Sequence, residues 1–260
     1  MKNVKYLAIV FLAFTLWLSA CYKDATGIAD GQARLNVYLT DAPAAYDSVN
    51  ISFSQVSAHI DSEWVSVSGD PVTVDLLSLT NGNTILLGSA DIPAGHYTQV
   101  RVIIDSAEIG VDGNVWDLTV PSGAQTGLKM GPEFTVEEGS IYEMIIDFDA
   151  SRSIVVMGGK NHPKGYKLKP HLRMIMKAVS GSVSGMVTNP QDAPVAYAIQ
   201  ATDTVTSAFV DTLSGHFKLG FLPVGEYKIA VADTNSLSYE QTGVWVIAGE
   251  NNDLGEITLQ

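Results

Sequence analysis

Two carboxylates two residues apart, Asp147 and Asp149, make the strongest offer of chemistry in this sequence. On an extended strand both side chains fall on one face, about 6.5–7 Å apart. That separation suits the acid pair of a glycosidase. With Asp41 or Asp75 added, the same oxygens suit calcium, a hard cation that takes carboxylate ligands. A third reading is structural: both acids cap a strand end, bonding to backbone N–H groups, Arg101 or Arg152. All three readings stand open on the sequence alone. Asp41 also begins the run Asp41-Ala42-Pro43, where an Asx-type turn is the plainer role.

Other chemistries find less support. The histidines are His59, His96, His162, His171 and His216, and no pair forms the H-x-x-x-H or H-x-x-E pattern of a zinc hydrolase. His59 and Glu63 stand four apart. On one strand they would lie about 13 Å from each other, too far to share a metal. Gly181-Ser182-Val183-Ser184-Gly185 brackets serines with glycines, but it is not the G-x-S-x-G elbow and no helical pattern follows it. Neither nucleotide-binding glycine loop is present. The single cysteine, Cys21, can form no intrachain disulfide. The expectation is a protein that is not an enzyme, with no cofactor or with calcium alone.

Lys160-Asn161-His162-Pro163-Lys164-Gly165-Tyr166-Lys167-Leu168-Lys169 is a basic stretch in a chain of 28 acids and 15 Lys and Arg. Lys160, His162, Lys164 and Tyr166 are candidates for holding an anionic glycan or a partner protein, with a solvated hairpin as the plainer reading. Trp64, Trp116, Tyr46, Tyr166, Tyr239 and Trp245 are sized to stack on sugar, yet their places in strand patterns equally suit core packing. A formal charge of −13 opposes nucleic acid and anionic headgroups as partners.

The elements that position these residues alternate with period two. Ala33, Leu35, Val37 and Leu39 share a face, and Val49, Ile51 and Phe53 continue the pattern. Segments 72–76, 98–104, 115–120, 141–148 and 172–176 are further strands, rich in β-branched and aromatic residues. Asp112-Gly113 is the best tight hairpin signal, and a helical turn is expected only at 76–80. After Ser180-Gly181-Ser182 a second alternating series begins, with strands at 182–188, 196–201, 204–211, 216–219, 225–232, 242–247 and 254–259. Many short strands between turn signals predict an all-β chain, here two β-sandwich domains in tandem. The expected limits are 33–178 and 180–260. Ile92-Pro93-Ala94-Gly95-His96-Tyr97 and Leu222-Pro223-Val224-Gly225-Glu226-Tyr227 repeat one device. Glycine permits an unusual φ, and a tyrosine packs at a sheet corner with its hydroxyl on backbone.

The N-terminus has a basic start at Lys2 and Lys5, an uncharged apolar run from Leu7 to Leu18, and then Leu18-Ser19-Ala20-Cys21. That is the layout of a secretory signal, too short for a membrane span of about 20 residues. Leu-Ser-Ala-Cys resembles the bacterial lipobox. The resemblance implies removal of residues 1–20, lipidation of Cys21 by acyl chains such as palmitate, and a polar tether over 21–32. Cys21-Tyr22-Lys23-Asp24 is similar to the export tags of some surface lipoproteins, which implies the outer membrane as the anchor site.

Residues 31–178 resemble the exported family called domain of unknown function 4382. Leu39-Thr40-Asp41-Ala42-Pro43, Asp75-Leu76-Leu77-Ser78-Leu79 and Ile146-Asp147-Phe148-Asp149-Ala150 carry the likeness, which implies a sandwich and no activity. Residues 180–260 resemble the carboxypeptidase regulatory-like family, through Gly181-Ser182-Val183-Ser184-Gly185-Met186-Val187, Gly215-His216-Phe217-Lys218-Leu219 and the Leu222–Tyr227 segment. That resemblance implies a transthyretin-like, non-catalytic accessory. The combined expectation is a lipid-anchored envelope protein that binds glycan or another envelope protein. The alternatives are a stalk or adhesin subunit using sheet edges, and a hydrolase using Asp147 and Asp149.

Overall fold

Each half-buried strand needs a second apolar face, and this chain meets the need by pairing sheets. The computed structural model describes residues 27–159 and 162–260. Cys21 with its apolar leader, and Lys160 of the basic stretch, lie outside the described residues. The described chain is all-β: two sandwiches in tandem, with a few short helical turns.

The first sandwich comprises β1 (Gln32–Ala42), β2 (Ser48–Ile60), β3 (Glu63–Ser68), β4 (Val72–Asp75), β5 (Ile85–Pro93), β6 (Gly95–Val111), β7 (Asn114–Thr119), β8 (Leu128–Met130), β9 (Phe134–Val136), β10 (Ile141–Asp149), β11 (Ile154–Gly159), β12 (His162–Leu168) and β13 (Leu172–Met176). Two short helices interrupt it, α1 (Ser122–Thr126) and α2 (Ala150–Ser153), along with a 3-10 turn at Leu76–Leu79. One sheet has the order β13-β10-β1-β5. The other runs β11-β12-β7-β6-β2-β3, with β4 on β2 and β8 and β9 on β6. Its spine is the long antiparallel β2–β6 pair, from Ser48 opposite Gly110 to Ile60 opposite Tyr97. Leu35, Leu39, Ile51, Ile104, Met144 and Phe148 fill the space between the sheets.

The second sandwich comprises β14 (Ser180–Val187), β15 (Val195–Gln200), β16 (Asp203–Phe209), β17 (His216–Pro223), β18 (Gly225–Ala232), β19 (Ser238–Val246) and β20 (Asn251–Ile257). Its sheets have the orders β17-β14-β20 and β16-β15-β18-β19. They close over a separate core that includes Val183, Phe217, Leu219, Ile229 and Val231.

The repeated corner device works the same way in both sandwiches. Gly95 and Gly225 take φ of 153° and 152°. The Tyr97 hydroxyl donates to the Pro93 carbonyl at 2.8 Å, and that of Tyr227 to the Pro223 carbonyl at 2.9 Å. Each ring is buried in its core, with Tyr97 stacked on Phe134. The expected hairpin at Asp112-Gly113 is present, with both residues at positive φ.

One expectation fails. His59 and Glu63 do not share a strand, because the chain reverses at Asp61 (φ 51°) and pairs Ile60 with Glu63 across a tight turn.

Alternation in β1 holds as far as Leu39 and then stops: Thr40, Asp41 and Ala42 are all buried. β10 behaves likewise from Met144 to Phe148. A strand buried on both faces has something packed on each side. At this end of the sheet the inner face meets the first core, and the outer face meets the second sandwich. Arg173 bonds to Phe221, and Arg152 bonds to Thr204.

Candidate functional site

The three acids singled out by sequence come together at that seam. β1 runs parallel to β10, with Thr40 opposite Asp147 and Ala42 opposite Asp149. β13 flanks β10 on its other edge and sets Arg173 opposite Asp147. Arg173 donates through Nη2 to Asp147 Oδ2 at 2.5 Å, and through Nη1 to the Phe221 carbonyl of the second sandwich at 2.7 Å. Phe221 presents that carbonyl from a left-handed backbone, φ 53°. Such a conformation is uncommon outside glycine and persists where surrounding contacts impose it. Thr206 of β16 lines the same small cavity as Asp147 and favours its ionised form. One arginine therefore joins three strands, two of them from different domains.

The neighbouring acids face backbone. Asp149 caps α2, with Oδ1 accepting from Arg152 N at 3.0 Å and from the Ser151 hydroxyl at 2.6 Å. Asp41 Oδ1 accepts from Ala150 N at 3.0 Å. Asp41 is 4% exposed and Asp147 5% exposed. Burial pushes the Asp41 carboxyl up to about 9. The charges of Asp147 and Asp149 push the same way, and the Ala150 N–H opposes them. Burial also raises Asp147, against the Arg173 charge that favours its ionised form.

Asp41 Oδ2, Asn81 Oδ1 and Asp147 Oδ1 are buried without a partner among the described residues. Their residues line a polar cavity of about 10 Å³ between the domains, the room of roughly one water molecule. Beside it opens a cleft of about 330 Å³ lined by Asp147, Asp149, Arg152, His171, Arg173 and Asp203.

What this arrangement can do chemically follows from its commitments. Asp147 is clamped by an arginine and Asp149 by backbone donors, which is the capping role open in the sequence. The partner of Asp147 is Arg173, and Arg101 lies elsewhere. A general acid needs a carboxyl free to exchange its proton with substrate, whereas Asp147 is buried and held. Among the described residues, no three His, Cys, Asp or Glu side chains gather in a way that could hold a metal ion. The acids serve as a joint.

From His162 to Leu168 the basic stretch is strand β12, paired antiparallel with β11. Lys164 is exposed, but Tyr166 is 4% exposed and packs edge-on to Trp116 at 5.8 Å. Tyr166 is aligned with Leu118 in the parallel β12–β7 pair and belongs to the core, so it is not available to a ligand. Two features escaped the sequence reading. Arg173 carried a readable signal, a lone cation inside the apolar run Leu172–Met176. Phe221 carried none, because its importance lies in its carbonyl.

Fold and site together define a class: a tandem β-sandwich protein whose conspicuous acids lie at the seam between its two domains. Residues 32–170 match the family described as Domain of unknown function (DUF4382). That is more than half of the chain, and the chain belongs to this family. Residues 182–260 match the Carboxypeptidase regulatory-like domain. No curated protein matches the chain. Among solved structures it is similar to the Bacillus anthracis TIE protein, at 12% identity and a TM-score of 0.25, covering 88% of this chain and 34% of that one. It spans about a third of that protein's length. A fimbrial protein from Bacteroides ovatus aligns at 12% identity and a TM-score of 0.24, covering 88% and 50%. The GBS52 minor pilin of Streptococcus agalactiae aligns at 10% and 0.21, covering 86% and 94%. Alignments this loose carry no argument about function. Among the described residues no helix is long and apolar enough to cross a membrane.

Proposed function

We propose that this chain is a non-catalytic, lipid-anchored accessory protein of the cell envelope, which presents two joined sandwiches to a glycan or to another envelope protein. The observation that carries the reading is the commitment of Asp147, the best catalytic candidate, to Arg173 and through it to the second domain. A carboxylate used this way favours a stiff binding body over a hydrolase. The match of the second domain to a regulatory-like family supports the same view.

The test is the full chain against a panel of glycans, with binding and turnover measured in parallel. Binding without turnover is expected. Turnover that disappears in Asp147→Asn would return the protein to the hydrolases. The anchor is tested separately: Cys21→Ser protein is expected to leave the membrane fraction or to remain unprocessed. Normal processing and sedimentation of Cys21→Ser would end the lipoprotein reading. One observation favours a stalk or adhesin role: β19 is an edge strand on which Trp245 is 58% exposed, a surface to which another chain could add.

A further inference from the structure

We propose that the outer face of the larger sheet, at β2, β3, β6 and β8, carries a site for the anionic groups of an acidic polysaccharide, built on Arg101 and Lys129. The inference rests on the binding-module reading and gives it a ligand class.

Arg101 and Lys129 stand directly opposite each other in the antiparallel β6–β8 pair, where like charges repel. Both lie over the ring of Trp64, the guanidinium carbon 4.3 Å and the ammonium 5.5 Å from its centre. Arg101 is held in one pose. Its Nε donates to the Ser57 hydroxyl at 3.2 Å, a side chain that is itself buried. Gly127 leaves room for its stem, since any side chain there would collide with it. His59 closes the cluster, 4.9 Å from Trp64, with Nδ1 bonded to Thr98 Oγ1.

Among the described residues, neither Arg101 nor Lys129 forms an ion pair. Acids outnumber bases 28 to 15 in this chain, so carboxylates are plentiful, yet none of the described ones is within 4.0 Å of either cation. Two opposed cations left unneutralised on an aromatic base form a receptor for an anion. With Nε engaged by Ser57, the two Nη groups can donate side by side, as carboxylate and sulfate oxygens accept. Preorganisation by Trp64, Ser57 and Gly127 lowers the ordering cost of binding.

The surroundings favour a polysaccharide. The site is an open strand face, which fits an extended repeating polymer. The half-buried His59 ring offers apolar surface beside the cations for the C–H face of a sugar ring. β2 and β6 are already paired on both edges, so on these two strands a ligand meets side chains, and the polyglutamate arm of the test separates a saccharide from a peptide.

The test titrates the full chain in detergent with polygalacturonate (carboxylate), heparin (sulfate), dextran (neutral) and polyglutamate. Binding to polygalacturonate or heparin that weakens with salt is expected. Arg101→Gln and Lys129→Gln are each expected to weaken it about tenfold, the scale of one lost charged hydrogen bond. Lys164→Gln, in the basic hairpin, is expected to leave it unchanged. The carboxylate and sulfate arms identify the anion. Lys129 is exposed, so its variant keeps the fold and separates binding from stability.

Acidic-polysaccharide binding unaffected by Lys129→Gln and Arg101→Gln overturns the site, as does binding lost only in Lys164→Gln. Polyglutamate held as tightly as either polysaccharide overturns the saccharide assignment. Dextran binding alone overturns this site and leaves the module reading intact. Failure with all four polymers also overturns it, and crosslinking to envelope proteins in whole cells then decides the module reading separately.

Discussion

Asp41 lies where a carboxylate is poorly accommodated, on the core side of β1 at the seam between two domains. Its unfolded form releases a proton near pH 4, and its folded form near 9. Between those values only the folded state holds the proton, so stability falls as pH rises. The slope is at most about 1.4 kcal/mol per pH unit. Asp41→Asn keeps an oxygen for the Ala150 N–H and removes the titration. Urea unfolding from pH 5 to 8.5 is expected to show a declining wild-type stability and a flatter variant, with the variant ahead at the alkaline end. Burial raises Asp147 as well, but its partner is a charge, Arg173, and not only a backbone N–H. Asp147→Ala leaves a partly buried guanidinium without its counter-charge and is expected to cost about 2–3 kcal/mol. Asp147→Leu combined with Arg173→Met removes both charges and is expected to cost clearly less than the single variant. Equal losses in the single and double variants would show that the pair is not coupled.

At the scale of elements, the two tyrosine corners are the clearest case of one local device used twice. Tyr97→Phe and Tyr227→Phe each delete one hydroxyl and keep the ring, so each is expected to lose about 1 kcal/mol. The hydroxyls serve different cores, and the double variant is expected to lose the sum. These corners were legible in the sequence because every part of the device is local. The proline, the glycine and the tyrosine fall within six residues, and the bond spans four. The seven strands of the second sandwich were legible for a similar reason, since each alternates cleanly between turn signals. β3 and β5 were not. β5 opens with Ile85-Leu86-Leu87-Gly88, which breaks the two-residue period, and a bulge in its pairing with β1 shifts the register. The two short helices are too brief to show a period.

The candidate site was half legible. Its acids were visible as a motif. Their use depends on β1 pairing in parallel with β10 across more than a hundred residues, and on an arginine from β13, and nothing local encodes either. Trp64 with Arg101 and Lys129 depends on the same kind of distant register.

For the whole molecule, the seam decides whether two domains act as one body. Interfaces between domains normally allow relative motion unless they are large or well fastened. Here Arg173 ties β10 to β17, Arg152 reaches Thr204, and the stem of Lys218 lies along Gly82. Solution scattering of the wild type is therefore expected to fit a single rigid shape. Arg173→Ala is expected to broaden the distance distribution and, in calorimetry, to split one unfolding transition into two. An unchanged scattering profile in Arg173→Ala would place the fastening elsewhere.

β1 has a mechanical consequence as well. It follows the polar segment at the N-terminal end and lies inside its sheet, bonded to β10 on one side and β5 on the other. A strand at an edge can be peeled away one bond at a time. A force drawn along β1 from Gln32 instead loads both ladders in shear, so many bonds share the tension before any breaks. In the lipid-anchored protein proposed above, drag on the body would reach it through this strand, where both ladders share the load.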